Sequence, residues 1–273
     1  MSVSLDPQLL AEASARLAAV RQRIETACAG AGRNPSELTL VGACKHQSVD
    51  RIAAAVCAGL GDLGENYVQA ARTIHPLVEQ RLRDHFAGAP APTPRWRMIG
   101  HLQRNKAAQA LEVFRAVDTV DTVRLARALS GRALAAGDVV DICLQVNLSA
   151  EQSKSGCSED ALAELLDGCA SLPGVRVVGL MTLPAPGPTP ESSRDTFARL
   201  RGLRDTLCHA TGGKALHHLN MGMSADLEVA IAEGSTVVRV GTDLFGERET
   251  APDTETQTEA QARATAQAKA KAI

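Results

Sequence analysis

A strong net charge is missing from this 273-residue chain, because its 29 lysines and arginines are nearly balanced by 31 aspartates and glutamates. Without an excess of basic residues, the chain has no electrostatic basis for binding nucleic acid or an acidic membrane surface. The composition therefore favours a small-molecule ligand. The hydrophobic content of 45% can fill a sizeable core, and the length fits one large α/β domain more simply than two small ones.

Paired cysteines and long apolar runs are also missing. The seven cysteines form an odd set without any CxxC spacing, which is typical of neither a disulfide framework nor a zinc site. This usage predicts a reducing compartment. No apolar run reaches the roughly 18 residues that a membrane span requires, and the N-terminus is charged and amphipathic. We therefore expect a soluble cytoplasmic protein without a membrane partner.

Apolar, strand-like runs alternate with Ala-, Leu- and Arg-rich helical stretches along most of the chain. The pattern predicts strands over residues 39–45, 62–64, 97–100, 116–120, 141–147, 176–181, 217–220 and 237–241. It predicts helices over 49–58, 66–83, 104–113, 122–136, 159–171, 190–210 and 225–233, after an extra N-terminal helix at 8–29. This order indicates an α/β fold, a single (β/α)8 TIM-like barrel, whose site lies where the strands end.

The predicted barrel covers residues 1–248, and the remaining segment differs in composition. Residues 249–273 are rich in Ala, Gln, Thr, Glu and Lys and contain almost no large apolar side chain. Such a segment cannot bury much surface, so we expect a low-complexity tail that is disordered or a frayed helix.

Lys45 ends the first predicted strand, which is otherwise an almost uncharged run, LTLVGAC. A lysine carried by a core strand must find a partner, become neutral or react. Its amine at the barrel mouth is suited to forming a Schiff base with an aldehyde. The alternative is an ion pair between Lys45 and Glu65.

The loops after the seventh and eighth strands predict a phosphate site. We expect Ser224 to be the N-cap of a helix beginning at Ala225, with free backbone N–H groups facing the mouth. Gly241 and Thr242 follow the eighth strand. In such barrels the loops after the seventh and eighth strands frequently bind phosphate. A glycine in such a loop lets the backbone approach the ligand closely. Taken singly, Ser224 could be an ordinary helix cap and Gly241 an ordinary turn.

Arg239 stands two residues before Gly241, on the same side of its strand and one layer deeper. An inward arginine is costly unless it pairs with a carboxylate or a ligand acceptor. If a phosphorylated pyridine ring spanned from Lys45 to the phosphate loops, Arg239 could donate to the ring nitrogen. An ion pair with Glu65 is the alternative. Asn66 suits a ring hydroxyl, although it could equally cap the following segment.

For other polar residues at the strand ends, the sequence leaves more than one role open. Asn147 has the same two interpretations as Asn66, and His101 could be a catalytic acid or base or a structural side chain. His217 and His218 are adjacent on a strand and face opposite ways, which argues against joint metal ligation. We predict no metal site.

With these residues assembled, the chain resembles the pyridoxal phosphate homeostasis protein family, relatives of the alanine racemase N-terminal barrel. The similarity runs from about residue 38 to 248 through the segments LVGACKH, DLGENYVQ, WRMIGHLQRNK, LQVNLSAEQSKSG, VVGLMTL and NMGMSADLEVAIAEGSTVVRVGTDLFGER. The resemblance implies a barrel of pyridoxal phosphate fold type III that binds pyridoxal 5′-phosphate (PLP) and takes part in intracellular PLP homeostasis. It implies no established catalytic turnover, a monomer, and apo-enzymes that use PLP as partners.

The resemblance also implies the roles of seven cofactor-binding residues. Lys45 would form the Schiff base, Asn66 would contact the cofactor near the ring hydroxyl, and Arg239 would contact the ring nitrogen. The remaining four are Ser224, Gly241 and Thr242 at the phosphate, and Met223 in the pocket wall.

A PLP-dependent amino-acid racemase is the alternative function. Racemases of this fold add an acid/base tyrosine and a second domain, whereas this chain has one tyrosine, Tyr67, and no room for a second domain. An arginine at the pyridine nitrogen also makes the ring a weaker electron sink. The chain departs from the family pattern at Cys44 and His46 beside the lysine, and at Asn220.

Overall fold

A computed structural model of the protein describes residues 4–149, 155–210 and 216–247. The predicted tail at 249–273 and the domain boundary at residue 248 lie outside these ranges and stay predictions. In the three described ranges, none of the helices combines the length and the apolar character that crossing a bilayer requires.

The described strands form one closed parallel barrel, in which each strand pairs with its sequence neighbours and β8 pairs with β1. In chain order, strands β1 to β8 are Thr39–Ala43, Asp62–Glu65, Arg95–Met98, Ala116–Val120, Val140–Gln145, Val175–Met181, His218–Met223 and Val237–Val240. This architecture confirms the predicted (β/α)8 barrel.

Helices surround the strands and complete the outer layer. In the described ranges, helices α1 to α9 are Pro7–Gly30, Val49–Cys57, Val68–Phe86, Ala107–Ala110, Val123–Ala135, Glu159–Ala170, Arg194–Ala210, Leu227–Ala232 and Thr242–Phe245. The extra N-terminal helix is present as α1, which buries Leu17, Val20 and Ile24 and contacts α2, α8 and α9. Its three- and four-residue apolar spacing produces this single buried face.

The ends of several elements differ from the sequence-based prediction. β1 ends at Ala43, because a turn follows and carries Lys45. β7 continues to Met223 through an irregularity in its pairing with β8, where Gly222 has a φ of 97° that only glycine adopts readily. The helix predicted over 104–113 is reduced to a 3₁₀ turn and the short α4.

A buried ion pair joins neighbouring strands inside the barrel. Arg97 donates from Nε to Asp118 Oδ2 at 2.9 Å and from Nη2 to Oδ1 at 2.8 Å, and also pairs with Asp62 at 3.3 Å. The flanking Trp96 and Met98 belong instead to the apolar cluster between strands and helices. Removing one buried partner would cost roughly 3–5 kcal/mol because the other charge would be left uncompensated. The network therefore fixes β2, β3 and β4 relative to one another.

Gly100, just beyond β3, allows the chain to pass close to Asn66, the residue that follows β2. A Cβ placed on Gly100 would lie 2.3 Å from the backbone oxygen of Asn66 and 2.7 Å from its Cα. Both are backbone atoms that cannot move aside cheaply, so only glycine fits. This close approach sets the position of Asn66 at the mouth.

We predict that Gly100→Ala lowers the free energy of unfolding by roughly 1–3 kcal/mol, because the added methyl group overpacks the contact with Asn66. The matched control is Gly131→Ala on the exposed side of α5, where an added Cβ meets nothing within 4 Å. Alanine at that helical position should stabilise the chain by about 0.5–1 kcal/mol. Urea unfolding measures both variants, and equal stability of the two would contradict the steric account.

Candidate functional site

Lys45 is presented by a tight turn rather than by the strand itself. The backbone N–H of Gln47 donates to the oxygen of Cys44 at 3.1 Å, and His46, the third residue of the turn, has a φ of 59°. A positive φ at this place is typical of a type II turn, and histidine tolerates it better than most side chains. Lys45 is half-buried at the mouth while His46 is exposed. His46 therefore shapes the backbone that carries the lysine.

The side chain of Lys45 contacts Tyr67. Its Nζ lies 3.2 Å from the Tyr67 hydroxyl and 4.7 Å from the centroid of the ring. Glu65, the partner considered as the alternative, accepts through Oε1 from the backbone N–H groups of Asn66 at 2.6 Å and Tyr67 at 3.3 Å. Sequence reasoning missed the role of Tyr67, although the adjacency of β1 and β2 places the two side chains within reach.

Arg239 is buried in β8 and hydrogen-bonds to neutral oxygens. Its guanidinium donates to the side-chain oxygen of Asn220, to the Asn220 backbone oxygen at 3.3 Å and to the Thr182 backbone oxygen at 3.3 Å. Burial lowers the pKa of Arg239 to about 10, partly offset by the negative charges of Asp118 and Asp226. The buried amide nitrogen of Asn220 has no hydrogen-bond partner in the described part of the chain. A buried cation served by neutral acceptors fits a ligand acceptor better than a closed ion pair.

The loop between β7 and α8 corrects the prediction for Ser224. The helix begins at Leu227 rather than Ala225, and its N-cap is Asp226, so Ser224 is not the cap. Asp226 is buried and accepts from the backbone N–H of Met223 at 2.7 Å and from the Ser193 hydroxyl at 2.9 Å. The Asp226 side chain makes no hydrogen bond to the helix that it precedes, so capping preference alone could not identify its role, which depends on contacts with Met223 and Ser193.

The loop after β8 is short and turns directly into a helix. Gly241 precedes α9, and Thr242 is its first residue, so the first backbone N–H groups of that helix have no intrahelical acceptor. A Cβ on Gly241 would make ordinary contacts with Ala43, the nearest at 3.4 Å from its oxygen, whereas one on Gly222 would overlap the Ala230 Cβ at 2.4 Å. Gly222 therefore serves the packing of β7 on α8. Gly241 borders the end of β1.

Barrel closure brings the seven predicted residues onto four adjacent strand ends. Met223 and Ser224 follow β7, Gly241 and Thr242 follow β8, Lys45 follows β1, and Asn66 follows β2, with Arg239 one layer below. Met223 and Thr242 are exposed on the rim, while Arg239 is 4% exposed. The structure thus assembles an amine, a buried guanidinium and two polar loops in one sector of the mouth.

A cavity of about 250 Å³ opens on the neighbouring sector of the mouth. It is lined by Asn66, Ile99, Gly100, His101, Thr119, Gln145, Val146, Asn147, Ser155 and Leu183. The half-exposed His101 ring lies 3.7 Å from Asp121 at its nearest atoms. Most polar lining groups are neutral, so this space suits an uncharged part of a ligand.

The cysteines match the packing interpretation. All seven cysteines are free, and Cys44 is buried with its thiol donating to the Gly64 oxygen at 3.2 Å. Burial, reinforced by the nearby Glu65 charge, raises the pKa of the Cys44 thiol well above its usual range, which leaves it unreactive. Among the described residues, no group of three or more His, Cys, Asp or Glu side chains could hold a metal ion.

Similarity to known proteins agrees with this geometry. Residues 16–249 match the family described as alanine racemase, N-terminal domain. The chain is 40% identical over 233 residues to the pyridoxal phosphate homeostasis protein of Pseudomonas aeruginosa, which covers 85% of this chain and 94% of that protein. The Escherichia coli K12 protein of the same name is 37% identical over 237 residues, covering 85% of this chain and 95% of its own length.

The chain belongs to the pyridoxal phosphate homeostasis protein family. Among solved structures, PipY of Synechococcus elongatus with PLP bound superposes with a TM-score of 0.71 at 31% identity, covering 86% of this chain and 100% of PipY. A D-threonine aldolase from Filomicrobium marinum shares only the fold, at 15% identity and a TM-score of 0.64, and this chain covers 63% of it. The family thus uses the barrel without the further length of such enzymes.

The assignment of the cap at the β7–α8 loop predicts a clear difference between two variants. Asp226→Ala should lower the free energy of unfolding by roughly 1–3 kcal/mol, because the Met223 N–H and the buried Ser193 hydroxyl lose their acceptor. Ser224→Ala should change it by less than about 0.5 kcal/mol, since Ser224 is not the cap. Urea unfolding measures both. A larger loss in Ser224→Ala would restore the cap role that the sequence suggested for Ser224.

Proposed function

We propose that this protein binds PLP through a Schiff base between its aldehyde and Lys45, and takes part in PLP homeostasis as a holder of the cofactor rather than as an enzyme. The observation that carries the proposal is the arrangement of the Lys45 amine, the buried Arg239 and the two loops after β7 and β8 around one sector of the mouth. Family membership and the PLP-bound PipY structure support the same ligand.

Each end of a phosphorylated pyridine aldehyde has a matching group in this sector. Lys45 would supply the amine that condenses with the aldehyde, with Tyr67 holding Nζ at 3.2 Å. The backbone of the loops containing Ser224, Gly241 and Thr242 would bind the phosphate, as helix starts and barrel loops commonly do.

The nitrogen, the hydroxyl and the face of the pyridine ring would also have contacts in this sector. The N–H donors of Arg239 lie in the buried interior of the barrel. Its positive charge there favours an unprotonated acceptor, such as the pyridine nitrogen. Asn66 would contact the ring hydroxyl, and the exposed Met223 would cover part of the ring. These contacts are part of the proposal.

The same residues argue for binding without turnover. Bound PLP provides an electron sink for carbanions, but an arginine at the ring nitrogen disfavours the protonation that strengthens this sink. Inversion at a carbon needs a second acid or base on the opposite face, and Tyr67 contacts Lys45 itself. Tyr67 is therefore placed to orient the amine rather than to act across the ring.

The proposal extends to partners and location. We infer a monomeric cytoplasmic protein that releases PLP to apo-enzymes. The release is supported by the rim of the mouth, where the exposed side chains Tyr67, Leu183 and Met223 could contact a partner. The seven free cysteines agree with a reducing compartment.

We predict that replacing Lys45 abolishes covalent uptake of PLP. In an absorbance titration, the wild-type chain should develop the band of a protein-bound Schiff base, and borohydride followed by peptide mass spectrometry should place the adduct on Lys45. Lys45→Ala should show neither, because the amine is gone. Lys106→Ala is the matched control at another lysine near the mouth and should behave as wild type. A wild-type chain without band or adduct would contradict the proposed function.

We also predict no racemase activity. With PLP bound, the α-proton of free alanine should exchange with heavy water no faster than with the same concentration of free PLP, since Tyr67 is held against the Lys45 amine. Proton NMR measures the exchange. Exchange faster by a factor of ten or more that disappears in Lys45→Ala would favour the racemase alternative, and its loss in His101→Ala would identify the second group.

A further inference from the structure

One arginine of the N-terminal helix holds the outer sides of both loops that follow β7 and β8. Arg23 donates from Nη2 to the backbone oxygen of Ser224 at 2.9 Å and from Nη1 to Asp243 at 2.6 Å. It also donates from Nε to Glu228 at 3.0 Å and from Nη2 to the same carboxylate at 3.2 Å. Its planar fork thereby joins Ser224 in the loop after β7 to Glu228 in α8 and Asp243 in α9.

The three acceptors stand next to the proposed phosphate contacts. Ser224 is itself one of them, Asp243 immediately follows Thr242, and Glu228 lies in the first turn of α8. Arg23 therefore contacts or adjoins the loop residues that would bind the phosphate, without being one of the proposed phosphate contacts itself. No part of α1 needs to enter the mouth for its arginine to control the separation of the two loops.

The position of these charges explains why an arginine is needed there. Glu228 and Asp243 are carboxylates close to loops that would hold a doubly charged phosphate, and unpaired they would repel it. Although partial burial acts in the other direction, the hydrogen bond from Arg23 holds the pKa of Glu228 below its ordinary value. The pKa of Arg23 is raised in turn by its hydrogen bond to Glu228. The guanidinium thus neutralises both carboxylates where they border the loops.

The ion pairs of Arg23 contribute little to the stability of the fold. The Arg23 side chain is 37% exposed, and those of Glu228 and Asp243 are 50% and 36% exposed. Ion pairs with this exposure contribute little to folding because solvent screens them. The helix α1 is instead held by its buried apolar face, so the specific geometry of Arg23 has another use.

We propose that Arg23 is a positioning residue for phosphate binding, which sets the distance between the Ser224 and Thr242 loops and cancels the negative charge behind them. This inference rests on the proposed function, since it concerns the phosphate of the same cofactor. It gives the extra N-terminal helix a role in ligand selection: α1 makes the barrel favour phosphorylated over unphosphorylated aldehydes.

The test compares PLP with pyridoxal, which has the same aldehyde and ring but no phosphate. Outer contacts of metal ligands change affinity by about 10- to 100-fold, and taking the lower end as a guide, we expect Arg23→Gln to weaken PLP binding about tenfold and pyridoxal binding less than about twofold. Binding is measured by absorbance titration at equilibrium and checked by borohydride trapping on Lys45. Thermal melting of each variant verifies that it is folded.

Arg33 provides the matched control. It also ties the N-terminal segment to the α8 region, donating to the backbone oxygens of Ile231 at 2.9 Å and Ser235 at 2.7 Å, but at the end away from the mouth. Arg33→Gln should leave the ratio of PLP to pyridoxal affinity unchanged. Arg23→Lys keeps the charge but cannot reach all three acceptors, and it should also lose PLP affinity.

Three results would overturn the inference: unchanged PLP affinity in folded Arg23→Gln or Arg23→Lys, equal losses for PLP and pyridoxal, or the same selective loss in Arg33→Gln. Failure of the proposed function is distinguishable, because then the wild-type chain itself would take up neither aldehyde on Lys45.

Discussion

Pairing of the last strand with the first is the constraint on which the site depends. Because β8 pairs with β1 in parallel, Val240 lies beside Gly42, and the residues that follow each strand emerge next to each other at the mouth. Lys45 and Gly241, almost 200 residues apart in the chain, become neighbours for this reason alone. A barrel that stayed open between these strands would carry the same residues without assembling a site.

The interior below the mouth is polar, and this gives the site its chemistry. The Arg97–Asp118 pair satisfies its own charges within the barrel, with both side chains almost completely buried. Arg239 lies in the same interior but uses Asn220 and Thr182 oxygens, which leaves its charge available to a ligand. Asn220, one of the departures of this chain from the family pattern, thus supports the arginine that faces the proposed ring nitrogen.

Much of this could be predicted from the sequence because the signals are local. The alternation of apolar runs with amphipathic helices gives the barrel and the order of its strands, and motifs at strand ends identify Lys45, Arg239 and the β7 and β8 loops as candidates. Local patterns fail where competing residues have similar propensity. Serine and aspartate are similarly favoured at helix starts, and only the packed loop shows that α8 begins after Asp226, whose side chain accepts from Met223 and Ser193. The predicted end of a strand can be wrong for the same reason. The sequence pattern predicts a first strand that reaches Lys45, but a turn at His46 replaces the extended backbone there.

The amino-acid sequence by itself determined which chemical groups stand at the ends of which strands, because hydrophobic period and turn residues are encoded over a few neighbouring positions. The tertiary structure decided which of those groups touch. Tyr67 beside Lys45, Asn220 beneath Arg239 and Arg23 behind the two loops all join residues on different elements. Such contacts depend on side-chain directions and strand register, which only the closed and packed barrel fixes.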